Sequence, residues 1–335
     1  MSSTKRIAYI DALRGLVMFT VVYQHIAGFM GGADGHECVI NEVMVSYFLA
    51  IFFYISGYVL YKKEISSIKG CIKLIGNKIK MLLIPLITFS LIYSTIFYSR
   101  TKVFAGEYWF LLVLLIFYFL YYFISAISYK KESVKWWLLC SLSIIFVICK
   151  ILYVGVQWEY YDRLYLGNIF IYFPFFVLGV LGRRFKTYKV AILSNNCLNT
   201  IAIVVYVLSL IVVRNIDVPD KILSGLRLIV MLYSGSYIVL SLFYRYRDYF
   251  AENGNVSKVM QYIGRHTLDI YMLHYFFIDF GGTLAGKIHN LGYLPLEFFG
   301  IGILALMNIA LSLGLSQCIR NSKFLAKYLF GARTA

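Results

Sequence analysis

The first apolar stretch of the chain carries ionisable residues that could handle protons. It reads "YIDALRGLVMFTVVYQHI" over residues 9–26 and includes Asp11, Arg14 and His25. In a helix that turns by about 100° per residue, these three side chains share one face within an arc of about 60°. Arg14 and His25 then lie about 16 Å apart along the helix axis. One face therefore combines a charged pair with an imidazole, the side chain most often used for general acid–base chemistry near neutral pH.

These residues have structural as well as functional interpretations. Ionisable residues inside a membrane span are costly and face a bundle interior or a wet cavity. Asp11 and Arg14 are three residues apart, so they could pair with each other near the inner interface. His25 could hydrogen-bond a neighbouring helix, or it could accept a proton. The spacing leaves both interpretations open.

Two later apolar stretches also carry polar groups. "HTLDIYMLHYFFIDF" contains Tyr271 and His274, which are three residues apart and so lie on neighbouring faces of a helix. "GEYWFL" contains Glu107 and Trp109, which we expect near the membrane depth of His25. Trp109 fits an interfacial anchor as well as a ligand contact.

Near the predicted cytoplasmic side, two motifs suggest ligand contacts. "FFYISGYVL" contains Ser56 and Gly57, a small pair that allows a helix or a ligand to approach closely. "GCIKLIGNKIKMLLIP" places Lys78 and Lys80 in a loop just before a predicted span. These lysines fit contact with anionic lipid headgroups, or a site for an anionic cytosolic ligand.

Composition indicates the element that must position these groups. The 335 residues are 61% hydrophobic and only 14% charged, with a mean hydropathy of +0.75. A soluble domain is nearer half apolar and a quarter charged, so we predict an all-α polytopic membrane protein. Apolar windows of spanning length predict about ten transmembrane helices. They fall at about 7–30, 43–61, 81–98, 107–128, 136–155, 167–182, 198–213, 226–243, 266–285 and 296–317.

Charge distribution predicts the orientation. If the N-terminus is cytoplasmic, inner segments hold roughly three times as many Lys and Arg residues as outer loops, which is typical of the cytoplasmic side. Both termini are therefore predicted to be cytoplasmic. The same bias accounts for the net charge of +16 without a nucleic-acid partner.

The six cysteines are scattered, with no CxxC pair and no metal-ligand spacing. We therefore expect neither a disulfide framework nor a bound metal.

Five short motifs, in this order, resemble those of the membrane acyltransferase 3 family, which includes O-acetyltransferases of bacterial surface polysaccharides. The similarity extends over nearly the whole chain. The lysines of the third motif stand where family members often have arginine. The motif residues are Asp11 with Leu13-Arg14-Gly15 and His25; Phe52-Phe53 with Ser56-Gly57; Lys78 and Lys80 with Pro85; Trp109-Phe110-Leu111; and Tyr271 with His274.

The resemblance implies one integral-membrane acyltransferase domain over residues 1–335, in a multi-pass protein of the bacterial plasma (inner) membrane. It implies transfer of an acyl group, most simply acetyl, from cytosolic acyl-coenzyme A to a hydroxyl of a sugar or surface glycan. Expected partners are membrane lipid, acyl-coenzyme A and a carbohydrate acceptor. The oligomeric state is left open.

The candidate residues then take chemical roles. His25 is the expected base for the acceptor hydroxyl, with Asp11, Arg14 and Glu107 in the catalytic set. Arg14, Lys78, Lys80, Ser56, Tyr271 and His274 are the expected donor contacts, and Trp109 is the expected acceptor contact. Direct transfer and an acyl-histidine intermediate both remain open.

Two other functions use the same polar groups. A transporter or flippase of lipid-linked sugars would line its path with them and would move substrate without consuming acyl-coenzyme A. A membrane sensor would use them only as contacts between helices, and would tolerate loss of His25.

Overall fold

The regular structure is helical throughout the described part of the chain. The computed structural model describes residues 7–28, 43–62, 67–97, 106–152, 164–215, 221–252 and 254–331. Within these ranges no strand occurs. The helices, numbered in chain order, are α1 Ala8–Gly28, α2 Phe48–Leu60, α3 Ile68–Phe97, α4 Trp109–Ile127, α5 Glu132–Leu152, α6 Leu166–Arg184, α7 Lys186–Leu193, α8 Asn196–Asn215, α9 Lys221–Arg245, α10 Arg247–Ala251, α11 Asn255–Arg265, α12 Thr267–Leu273, α13 Ile278–His289, α14 Leu294–Asn321 and α15 Lys323–Phe330. Short 3₁₀ turns occupy Gly106–Tyr108 and His274–Phe277.

Seven of the described helices are long and apolar enough to cross a membrane, and an eighth is added if the pair α7 and α8, bent by 62°, forms one span. The protein is therefore a multi-pass membrane protein, and its described regular structure is helical. In the remaining two predicted windows, 7–30 and 266–285, the described residues are also largely helical, and residues 29–30 lie outside the described part. The first contains Asp11, Arg14 and His25, which lower its apolarity, and the second is interrupted by the 3₁₀ turn. The count of ten spans and the cytoplasmic termini stay predictions.

Helix α3 corrects one sequence-based expectation. The apolar window at 81–98 predicted a membrane span, and the residues before it were expected to form a loop. The helix instead begins at Ile68, so Lys78 and Lys80 lie on α3 itself. A hydropathy window detects only the segment of a helix that is apolar enough to lie in lipid. Helix α3 is longer than such a segment, so its polar N-terminal part was not detected.

The described chain forms two compact units. Unit 1 comprises Met1–Phe52, Lys189–Leu210 and Val230–Ile319, and unit 2 comprises Phe53–Tyr188, Ile211–Ile229 and Arg320–Ala335. Whether residues 1–335 act as a single functional domain stays a prediction.

In unit 1, helices α1 and α11 cross at a pair of glycines. A Cβ atom on Gly15 would collide with the backbone carbonyl of Met260, and one on Gly264 would collide with that of Asp11. Small residues let helix backbones approach this closely in membrane proteins. The crossing fixes the end of α1 that carries Asp11 and Arg14.

Unit 2 contains a similar crossing between α2 and α6. A Cβ atom on Gly57 would meet the carbonyl of Phe176, and one on Gly179 would meet that of Tyr54. Beside it, the buried ring of Phe53 lies 4.6 Å from Phe110, 5.0 Å from Phe117 and 5.1 Å from Tyr172, measured between centroids. These aromatic contacts hold α2, α4 and α6 together.

Candidate active site

His25 meets two residues of the broken helix in unit 1. Its Nε2 atom lies 3.1 Å from the hydroxyl oxygen of Tyr275, within hydrogen-bonding distance. Its ring centroid lies 5.3 Å from that of His274 and 5.0 Å from that of Tyr275. His25 itself is half-buried, whereas His274 and Tyr275 are buried. The structure thus brings the expected base, His25, next to His274, which was expected to contact the donor.

His274 and Tyr275 lie on the 3₁₀ turn His274–Phe277, and a side chain of α14 hydrogen-bonds to this turn. A helix that ends leaves carbonyl oxygens without intrahelical partners. The side-chain amide of Asn308 donates to the carbonyl of His274 at 3.1 Å, and Ser312 Oγ donates to Asn308 Oδ1 at 3.3 Å. Because these groups are buried, an unpaired carbonyl here would be costly. The amide contact therefore stabilises the break in the helix.

The His274 imidazole is fixed by its own helix. Its Nδ1 atom lies 3.1 Å from the carbonyl oxygen of Ile270 and 2.9 Å from that of Tyr271. Carbonyl oxygens only accept hydrogen bonds, so Nδ1 carries the proton and neutral His274 has its lone pair on Nε2. This Nε2 atom is fully buried and has no hydrogen-bond partner within the described residues. A buried acceptor of this kind suits a donor group on a ligand.

Tyr271 belongs to the same cluster. It is buried on α12, and its ring centroid lies 5.8 Å from that of His274 and 6.3 Å from that of Tyr275. The expected neighbouring positions of Tyr271 and His274 are therefore observed.

Asp11 and Arg14 lie at the other end of α1, at its crossing with α11. The nearest nitrogen and oxygen of their side chains are 3.9 Å apart, which is an ion pair but too long for a direct hydrogen bond. Asp11 is buried and Arg14 is half-buried. The contact matches the expected pairing at three-residue spacing, and the proposed roles of both residues in transfer stay predictions.

In unit 2, Trp109 lies in an aromatic group beside Glu107. The indole is stacked against Tyr165 and Tyr172, with centroids 6.1 Å and 6.5 Å away. Tyr165 has φ of 53°, a left-handed conformation that is uncommon for a residue other than glycine, and its hydroxyl donates to the carbonyl of Gly106 at 3.5 Å. Burial raises the pKa of the Tyr165 phenol, and the carboxylate of Glu107 raises it further, against a smaller opposing effect of the Gly106 hydrogen bond. Tyr165 is therefore a neutral hydroxyl close to Glu107.

Ser56 stands next to the glycine crossing of α2 and α6 and is half-buried. The close approach that the Ser56-Gly57 pair predicted is observed, and the partner at Gly57 is the backbone of another helix. A donor contact by Ser56 stays a prediction.

Lys78 and Lys80 point to different sides of α3. Residues two apart on a helix differ by about 200°, so their side chains leave opposite faces. The Lys78 ammonium lies 4.4 Å from the ring centroid of Tyr118 on α4, a cation–π distance, whereas Lys80 is exposed. Only Lys78 is therefore held in a defined position by a described aromatic ring.

Three residues of these clusters were missed in the sequence. Tyr275 follows His274 directly, but neighbouring helical positions normally point about 100° apart. Asn308 lies in a span that was identified by its apolarity, although its spacing of four residues to Ser312 and then to Ser316 is a visible polar stripe. Tyr165 precedes α6 and is one of 30 tyrosines, so composition gave no reason to select it.

In an apolar helical protein, the cluster of unit 1 contains a half-buried histidine, a second histidine with a buried lone pair and the tyrosine hydroxyl that contacts the first histidine. This is a set suited to proton transfer, as in an acyltransferase. Residues 7–316 match the model of the acyltransferase 3 family, which is described as an acyltransferase domain. The chain therefore belongs to the acyltransferase 3 family and is a membrane acyltransferase. Comparison with curated proteins and with solved structures gives no match in either set.

Proposed function

We propose that this protein is an O-acyltransferase of the bacterial plasma membrane. It transfers an acetyl group from cytosolic acetyl-coenzyme A to a hydroxyl of a sugar or surface glycan. The observation that carries the proposal is the half-buried imidazole of His25, hydrogen-bonded to Tyr275 and next to His274. Acyl transfer to a hydroxyl needs a base at the oxygen that attacks, and His25 supplies one inside a helical membrane protein.

The proposed transfer moves one proton, which passes from the acceptor hydroxyl to coenzyme A through His25. The acceptor hydroxyl gives its proton to His25 as its oxygen attacks the thioester carbonyl. The new carbon–oxygen bond forms and the carbon–sulfur bond breaks. The proton then passes from the imidazolium to the thiolate of coenzyme A. His25 is regenerated, and no redox partner or metal is required by this balance.

Charge supports an acyl-coenzyme A donor. Its phosphates need cations, and Lys78 and Lys80 supply two on α3, with Lys78 held over the Tyr118 ring. Arg14 adds a guanidinium that binds phosphate or amide oxygens in two-pronged fashion. The lysines act as point charges, so they contribute attraction more than orientation. Ser56, Tyr271 and His274 are proposed as further donor contacts.

Aromatic chemistry supports a carbohydrate acceptor. The apolar faces of sugar rings pack on aromatic side chains, and Trp109 has two stacked neighbours in Tyr165 and Tyr172. Glu107 on the adjacent 3₁₀ turn supplies a carboxylate that accepts hydrogen bonds from sugar hydroxyls.

An assay of the purified protein in lipid tests this function. The wild-type protein is expected to acetylate surface-glycan fragments when acetyl-coenzyme A is present, with one coenzyme A thiol released for each ester formed. His25→Ala is expected to do neither. Movement of a sugar lipid across the bilayer with no thiol release would support a flippase and overturn the proposal.

A further inference from the structure

We infer that Tyr275 positions His25 as the base, by accepting a hydrogen bond from its Nε2–H group and so leaving the lone pair on Nδ1. The inference deepens the proposed function and rests on it for the role of His25. Tyr275 is absent from the motifs that mark the family resemblance, and the contact joins residues far apart in the chain.

The two ring nitrogens of His25 have different surroundings. Nε2 lies 3.1 Å from the Tyr275 hydroxyl. No residue in the described ranges hydrogen-bonds Nδ1, and that nitrogen is not among the fully buried polar atoms. Because Tyr275 engages Nε2, Nδ1 is the ring nitrogen that is left for an acceptor hydroxyl. A neutral imidazole carries one proton, and a base needs its lone pair on the nitrogen that faces the substrate.

The direction of the hydrogen bond between Tyr275 and His25 decides which tautomer His25 adopts. A phenol can donate or accept, so it permits either tautomer of its partner. Only acceptance by Tyr275 leaves Nδ1 of His25 unprotonated. When Nδ1 then takes the proton of the acceptor hydroxyl, the imidazolium still donates from Nε2 to the Tyr275 oxygen. The contact therefore persists through the proton transfer, and the Nε2–H group becomes a stronger donor as the ring becomes charged.

Tyr275 is held in a rigid environment. It lies in the 3₁₀ turn, is 4% exposed, and has its ring centroid 4.0 Å from that of His274. Asn308 holds the turn through the His274 carbonyl. A hydrogen-bonding group held this firmly orients its partner at little entropic cost. Tyr275 is thus a positioning residue, and His274 with Asn308 fixes where it stands.

The test combines kinetics with the tautomer of His25. Tyr275→Phe keeps the ring and removes only the oxygen. We expect kcat to fall by about 10-fold or more, and by less than in His25→Ala, with the KM values for donor and acceptor within about twofold of wild type. The matched control is Tyr206→Phe, which removes a tyrosine hydroxyl bonded to Ser46 Oγ at 2.7 Å in the same unit. The control is expected to retain wild-type kcat. A kcat for Tyr275→Phe equal to that of Tyr206→Phe overturns the inference.

Nitrogen NMR of histidine-labelled protein in lipid gives the readout that does not depend on activity. The His25 signals are assigned by their loss in His25→Ala. Wild-type protein is expected to show the Nε2-protonated tautomer, and Tyr275→Phe a mixture of tautomers. An Nδ1-protonated His25 in wild-type protein overturns the inference even if acyl transfer is confirmed. If no acyl transfer is found, the positioning contact is still supported when His25 is Nε2-protonated in the wild type and a mixture of tautomers in Tyr275→Phe. The proposed function and the positioning contact can therefore fail separately.

Discussion

The ring centroids of His25 and His274 lie 5.3 Å apart, although the two residues come from the first helix and from the late, broken one. The ring nitrogens of the two histidines have different hydrogen-bond partners. His274 has its proton on Nδ1, bonded to backbone carbonyls, and keeps a buried lone pair on Nε2. His25 is half-buried and bonded to Tyr275. The pair therefore provides one accessible base and one fixed acceptor.

The first prediction concerns that base. His25→Ala is expected to lower kcat by about 10²- to 10⁴-fold, because it removes the group that takes the acceptor proton. The variant is expected still to fold and insert in the membrane. His289→Ala is the matched control, since His289 is exposed and pairs with Glu297 outside the cluster. Near-normal turnover by His25→Ala at equal protein level rules out the proposed role.

The second prediction concerns the contact that holds the helix break. Asn308→Ala removes the donor to the His274 carbonyl and leaves a buried acceptor unpaired. The expected loss of stability is about 1–3 kcal/mol, seen as a lower Tm in detergent. Ser209→Ala is the control, because Ser209 Oγ bonds only to the carbonyl of Val205 in its own helix. Equal Tm values for the two variants would show that the amide contact does not stabilise the turn.

The third prediction concerns the crossing of α1 and α11. Gly264→Ala places a methyl group against the backbone carbonyl of Asp11, so the helices must separate. A cost of about 1–3 kcal/mol is expected for such overpacking. Gly314→Ala meets no atom within 4 Å and should be neutral or slightly stabilising in the interior of α14. Equal Tm values for Gly264→Ala and Gly314→Ala would contradict the prediction.

The fourth prediction concerns donor binding. Lys78→Ala combined with Lys80→Ala is expected to raise the KM for acetyl-coenzyme A more than it lowers kcat. Groups that hold phosphates far from the reacting carbonyl bind the ground and transition states alike. Because Lys78 is held over Tyr118 and Lys80 is exposed, most of the increase should appear in the Lys78→Ala single variant. Lys69→Ala, an exposed change in the first turn of α3, is the control. A large fall in kcat with an unchanged KM would contradict this placement.

Some of this architecture follows from local sequence and some does not. The face shared by Asp11, Arg14 and His25 follows from helical periodicity alone, and every predicted apolar window coincides with a helix or a broken helix. Apolarity reports what is compatible with lipid, so it gave no information on where α3 begins or where α7 and α8 bend.

The composition of the candidate site depends on packing between distant segments. Tyr275 reaches His25 because a 3₁₀ turn replaces the α-helical geometry, and that turn is stabilised by Asn308 from another helix. No periodicity within either segment encodes this contact. The motif residues identified the histidines, whereas the groups that orient them emerge only from the fold.

We propose that His25 on α1 serves an acetyl donor at the cytoplasmic face and an acceptor at the outer face, so that the acetyl group crosses the membrane, and an assay with separated compartments tests this proposal. The protein is reconstituted in sealed proteoliposomes of one orientation, with glycan acceptor only at the outer-face compartment. We expect acetylated acceptor to form when acetyl-coenzyme A is supplied only at the cytoplasmic face. With His25→Ala we expect no acetylated acceptor. Product that forms only when donor and acceptor share one compartment would contradict the through-membrane transfer and place His25 in a one-sided site.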